Sequence, residues 1–135
     1  MKEVTKKLLL NYMESNVCPI LVENISSNSF KNYVLLDSNC DVSLLNGHYE
    51  GVDFVAPKWY LELCEKSKKG NVVLFINGIN EVSINDQCKF IEILKYRKIS
   101  TFDLPRNCVV VVSCSSLKEK AINEEVYSLM AHIEG

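Results

Sequence analysis

GNVVLFINGINEVSINDQCKFIEILKYRKISTFDLPRNCVVVVSCSS, Gly70 to Ser116, holds two strands and the segment that joins them. Asn71 to Ile76 is a near-continuous apolar run rich in β-branched residues, and Asn107 to Ser113 repeats the pattern as NCVVVVS. Apolar runs without polar alternation suit strands buried on both faces, as in a parallel sheet covered by helices. Between them, Ser83 with Asp86 three residues on can cap a helix carrying Ile84, Cys88, Ile91 and Leu94 on one face. Lys98 to Arg106, with Ile99, Thr101, Phe102 and then Pro105, is consistent with a short strand or hairpin. Asn77-Gly78 between apolar residues also carries a hairpin signal. The next residues exclude that reading, because Ile79 to Ile84 does not alternate and Ser83 opens a helix too soon for a return strand.

Working outward, Pro57 opens a helix on which Tyr60, Leu63, Cys64 and Ser67 recur at helical spacing until Gly70. Glu3 to Glu14 places Val4, Leu8, Leu9, Tyr12 and Met13 on one helical face. Pro19 to Glu23 and Tyr33 to Asp37 are short strands, joined by NISSNSFKN, Asn24 to Asn32, which reads as a turn or loop. Ser38 to Val55 shows no period and reads as irregular. Asn123 can cap a last helix with Glu124 and Glu125 in its first turn and Val126, Leu129 and Met130 following, and His132 falls in a last strand. Strands separated by helical crossovers predict an α/β fold, a three-layer α-β-α sandwich with a mostly parallel central sheet. Neither a repeat nor a Pro/Gly linker divides the chain, so residues 1–135 are expected to form one domain.

Composition narrows the function classes. Fifteen basic against seventeen acidic residues give a net charge of −2, which supplies no global attraction for nucleic acid. The clusters Lys66, Lys68, Lys69 and Lys95, Arg97, Lys98 read as helix ends complementing the helix dipole. No apolar run approaches the ~18 residues of a membrane span, and Leu8 to Leu10 is too short for the centre of a secretory signal, so a cytoplasmic protein is expected. Cys18, Cys40, Cys64, Cys88, Cys108 and Cys114 contain no C-x-x-C pair, and His48 and His132 stand apart from them. Free thiols and no zinc signature are expected.

From Cys18 onward the order and wording resemble an AAA+ ATPase core, particularly the MoxR-like branch of the P-loop NTPases. The densest match is FVAPKWYLELCEKSKKG continued through the opening stretch, Phe54 to Ser116. In that family an aromatic, Pro-containing segment precedes a helix, then come the Walker B strand, a helix, a short hairpin ending in Leu-Pro, and the sensor strand. INEEVYSLMAHIEG resembles the segment that leads into the last strand of the core. The small lid domain that comes after the core in the family has no counterpart before Gly135.

The catalytic positions of the family do not match. A phosphate loop needs glycines that let backbone N–H groups approach the phosphates and a Lys to offset their charge. After strand Pro19 to Glu23 the chain instead reads NISSNSFKN, and no Gly-Lys pair occurs anywhere. Too little chain remains before Tyr33 for the helix that turns its N-terminus toward the phosphates. Where the resemblance puts the Walker B Asp and Glu, the chain has Asn77 and Gly78, which removes a magnesium ligand and the base. The polar sensor position falls near Ser113 to Ser116, with Cys114 and Ser115 in place of Asn, and the arginine near the end of the core matches Leu129.

The resemblance therefore implies a degenerate core, a pseudo-ATPase with no catalytic, cofactor or metal residues, acting as a binding or scaffold module through a protein partner or self-association. Trp59, Tyr49 and Phe54 are the candidates for its contact surface. Two alternatives stand beside it. A nucleotide could bind without hydrolysis on Lys31 and the amides of Ser26 to Ser29. A cysteine enzyme would need Cys114 as nucleophile, His132 as base and Asp37 to orient it, all near strand ends.

Overall fold

The computed structural model describes residues 3–117 and 121–135. Helix α1 (Glu3–Ser15) leads into β1 (Ile20–Glu23), a strap with one 3-10 turn (Ser27–Ser29), and β2 (Tyr33–Asp37). A short α2 (Val42–Leu45) and the hairpin β3 (His48–Glu50) and β4 (Asp53–Val55) come next, then α3 (Lys58–Ser67) and β5 (Val72–Asn77). A 3-10 segment (Asp86–Phe90) runs into α4 (Ile91–Tyr96), the small hairpin β6 (Lys98–Ile99) and β7 (Phe102–Asp103), β8 (Cys108–Cys114), α5 (Glu124–Ser128) and β9 (Ala131–Ile133).

Five strands form one sheet in the order β2-β5-β8-β1-β9, and every pairing in it is parallel. The two strands of the stretch Gly70 to Ser116 lie side by side at its centre, with Val72 opposite Cys108 and Ile76 opposite Val112. Because side chains alternate across a strand, Leu74 and Ile76 face one layer while Val73 and Phe75 face the other. Leu63 of α3, Ile93 and Leu94 of α4 and Val126 of α5 cover the first face. Leu9 of α1, with Ile25 and Phe30 of the strap, covers the second. The result is the expected α/β three-layer sandwich.

The second layer is thin over β5 and β8. Residues 24–32 carry the chain from the end of β1 past two strands to the start of β2, where parallel connections ordinarily use a dozen or more residues and a helix. They cross as an extended strap with one 3-10 turn, and Phe30 packs on Phe75 at 5.7 Å between ring centroids.

Four local expectations change, the first in α1, where Thr5 and Leu9 are buried while Val4, Leu8 and Tyr12 of the expected apolar face are exposed. The stretch 38–55, read as irregular, contains α2 and a two-residue hairpin in which Gly51 takes φ 63. Glycine supplies that conformation without steric cost. The helix after Ser83 begins as a 3-10 segment, so its buried residues are Gln87, Phe90, Ile93 and Leu94, while Ile84 and Cys88 are exposed. A three-residue turn shifts the face that a 3.6-residue period predicts. Trp59, a candidate contact residue, is buried and donates its indole N–H to the Leu45 carbonyl at 2.8 Å. The last helix starts on Asn123 as expected, whose side chain accepts from the amides of Glu125 and Val126.

Candidate functional site

In an open α/β sheet the chemistry collects at the carboxyl ends of the strands, where successive connections leave in opposite directions. Here that point lies between β1, whose chain leaves toward β2, and β8, whose chain leaves past β1 to β9. The side chains at this edge bond one another. Ser113 Oγ donates to Asn77 Oδ1 at 3.1 Å and accepts the Gly78 amide at 2.8 Å. Asn77 Nδ2 donates to Asp37 Oδ1 at 3.3 Å, and Ser38 Oγ donates to the Gly78 carbonyl at 2.7 Å. Ser115 and Asn80 pair reciprocally through the Ser115 amide and hydroxyl. Glu23, at the end of β1, accepts the amides of Leu117 and Gly135.

Backbone geometry explains Gly78. It sits at φ 71, and a Cβ added there would stand 2.6 Å from the carboxyl carbon of Glu81. A side chain at position 78 would meet a left-handed backbone and would have to displace the exposed Glu81 carboxyl, and the backbone is the stronger constraint. Among the described residues, no group of three or more His, Cys, Asp or Glu side chains is placed to hold a metal ion.

The cysteine, histidine and aspartate considered together from sequence are not brought together. Asp37 ends β2 at one edge of the sheet, His132 lies in β9 at the other, and Cys114 ends β8 between them. Four strand spacings separate the outer two, roughly 19 Å. His132 stacks on Tyr127 at 3.7 Å between centroids and contacts the Tyr127 carbonyl through Nε2 at 2.8 Å. Cys114 is 3% exposed, and burial, with the Glu23 carboxylate adding to it, pushes its thiol up to about 11. Burial likewise drives Cys108 up to about 12 against the opposing charge of Arg97. All six cysteines are free.

The strap residues weighed as an anion site are partly taken up within their own turn. The Ser29 amide bonds the Ser26 carbonyl, the Phe30 amide bonds the Ser27 carbonyl, and the Ser26 hydroxyl bonds the Asn28 side chain. Lys31 lies at the far end of the strap, away from the carboxyl edge. The basic clusters hold the fold: Lys66 Nζ bonds the Tyr33 carbonyl at 2.7 Å, and Arg97 bonds the carbonyls of Pro105 and Cys108. Leu129, half-buried, packs against the core.

Of the contact candidates, Tyr49 and Phe54 do reach the surface. The β3-β4 hairpin projects Tyr49, 73% exposed, and Val52, 95% exposed, and Val42 and Leu44 of the preceding α2 are exposed as well. Phe54 lies against Tyr49 at 5.0 Å and stacks on Phe102 at 5.7 Å, which ties this arm to the β6-β7 hairpin. Sequence reading passes over Val52, Leu44 and Val42, because isolated apolar residues in an aperiodic stretch give no signal.

These features define a three-layer α/β domain with an all-parallel five-stranded sheet and a self-bonded carboxyl edge. No family model matches the chain, and no curated protein matches it. Among solved structures, the fold is similar to the crystal structure of NtrX from Brucella abortus, with a TM-score of 0.52 and 12% sequence identity. The likeness covers 98% of this chain and 37% of that one. Among the described residues, no helix is long and apolar enough to cross a membrane.

Proposed function

We propose that the chain is a non-catalytic AAA+-like domain that serves as a binding or scaffold module through protein–protein contacts. The observation that carries this reading is the closed network at the carboxyl edge. Asn77 and Gly78, which stand where the resemblance puts an acidic pair, are bonded to Asp37, Ser38 and Ser113. A general base must be free to reach water or substrate, and Gly78 carries no side chain to do so. The left-handed backbone at Gly78 further supports the absence of a Glu there as part of the fold.

The arm formed by α2 and the β3-β4 hairpin supplies the contact surface. Tyr and Phe are enriched in protein interfaces, and a contiguous exposed apolar patch is more informative than scattered apolar residues. Tyr49, Val52, Val42 and Leu44 are all more than half exposed on two adjacent elements.

Thermal unfolding with magnesium and ATP, ADP or GTP in millimolar excess tests the reading, with light scattering on the same samples. A ligand at a hundred times its dissociation constant adds ~2.7 kcal/mol, which raises the midpoint of a domain this size by several degrees. The expected result is no shift with any nucleotide. A clear shift overturns the proposal in favour of a nucleotide-binding regulatory domain. Self-association through the arm is expected to disappear in Val52→Lys.

A further inference from the structure

We propose that the gap between α1 and the strap is a binding site for a free monoanionic amphiphile, an acyl chain or similar apolar body ending in a carboxylate. This inference is independent of the scaffold reading. The strap crosses the sheet as extended chain, which is thinner than the ~10 Å diameter of a helix, so the layer beside α1 is left incomplete. A cavity of about 590 Å³ opens there, at the amino ends of β5 and β8 and away from the closed carboxyl edge. That volume lies in the range of small-molecule sites. Its apolar lining includes Leu9, Leu10, Met13, Phe30, Val73 and Val109.

Charge selects the head group. Lys6 of α1 and Lys31 of the strap both border the cavity, with Glu3 as the one acidic lining residue among those described. Neither lysine has a hydrogen-bond or ion-pair partner among the described residues, although some of the polar groups nearby are committed. Asn32 donates to the carbonyls of Lys66 and Asn71, and Asn28 accepts from Ser26. The charged groups left to meet a ligand are two cations and one anion over an apolar floor, with the neutral side chains of Ser29 and Asn71 beside them. Leu10, 50% exposed, lies on the lining where an acyl chain would replace water.

Methyl-resolved NMR titration of the whole chain with decanoate, kept below its micelle concentration, tests the site. Decanol and decylamine serve as chain-matched neutral and cationic probes. Decanoate is expected to shift the Leu9, Val73 and Val109 methyls saturably, with decanol weaker by roughly tenfold, the value of one well-placed charge interaction. The double variant Lys6→Glu, Lys31→Glu is expected to weaken decanoate by a similar factor while leaving decanol unchanged. Both lysines are exposed and unbonded, so an unchanged unfolding midpoint certifies that the variant is folded. Leu10→Glu, which puts a carboxylate on the lining, is expected to reject decanoate in the same way. The proposal is overturned by absent or non-saturable shifts, by equal binding of the three probes, or by indifference to the lysine reversals. Sedimentation with anionic phospholipid vesicles in the absence of any decanoate response overturns it as well, in favour of a membrane-surface contact.

Discussion

At position 77 an amide does what a carboxylate could not. Asn77 accepts from Ser113 through Oδ1 and donates to Asp37 through Nδ2, so the bridge from β8 to β2 needs a group with both capacities. Asn77→Asp replaces the donor with a second carboxylate oxygen facing Asp37, losing one hydrogen bond and adding like-charge repulsion. The expected cost is about 1–2 kcal/mol at pH 7, read from urea unfolding. Raising the ionic strength should narrow the gap between variant and wild type by screening the repulsion between the two carboxylates. An undiminished gap at about 1 M salt would assign the cost to the lost hydrogen bond and shape rather than to charge. The same edge explains why the lack of acid–base chemistry at Asn77-Gly78 is legible in the sequence alone, since residue type decides it. The partner set, Ser38, Asn80 and Glu23, is not legible there, because each is brought to the edge by sheet order rather than by spacing along the chain.

Gln87 governs how two elements meet. It is fully buried at the start of the segment leading to α4, where Nε2 donates to the carbonyls of Val82 and Ala121 and Oε1 accepts the Asn123 amide. One side chain therefore holds the turn that delivers α5 to its cap. Gln87→Leu keeps the volume but strands the Asn123 amide and the Ala121 carbonyl, at an expected cost of roughly 2–4 kcal/mol. Hydrogen exchange should locate the loss, with the Glu125 and Val126 amides losing protection first. Uniform loss across the sheet would argue instead that Gln87 supports the whole core. This residue also marks the limit of pattern reading for elements. Strands β5 and β8 are legible to within a residue because continuous apolar runs have one stable use, burial on both faces, whereas β2, found at its expected residues, is an edge strand that buries only Val34 and Leu36. The helix after Ser83 is legible in place but not in face, since its 3-10 opening turns the buried side to Gln87 and Phe90. The β3-β4 hairpin escapes pattern reading because two three-residue strands are too short for alternation to register, and only Gly51 marks the turn. The Ser/Asn composition of the strap does show that it lacks a helix, but the cavity it leaves depends on where α1 packs, which periodicity does not specify.

For the whole molecule, burial of thiols in a parallel sheet sets how stability responds to alkali. Cys108 ionises at an ordinary 9.0 in the unfolded chain, while burial holds its proton to about 12 in the folded one. Between those values the folded state binds more protons than the unfolded state, so stability falls as pH rises. The slope approaches about 1.4 kcal/mol per pH unit for one such group. Cys114, pushed to about 11, acts in the same direction from a site closer to solvent. Tyr60 is raised to about 12 by burial and by its bond to Cys64, but its ordinary value is 10.0, so it enters only at the upper end of the window. The interval from pH 9 to 10 therefore isolates the thiols. Urea midpoints are expected to stay level from pH 7.5 to 8.5 and then to fall through pH 10. Cys108→Ala should lower the starting stability through lost packing yet flatten the decline. A wild-type profile that remains level to pH 10, or a Cys108→Ala profile that falls as steeply as wild type, would show that the sheet centre does not keep this thiol protonated.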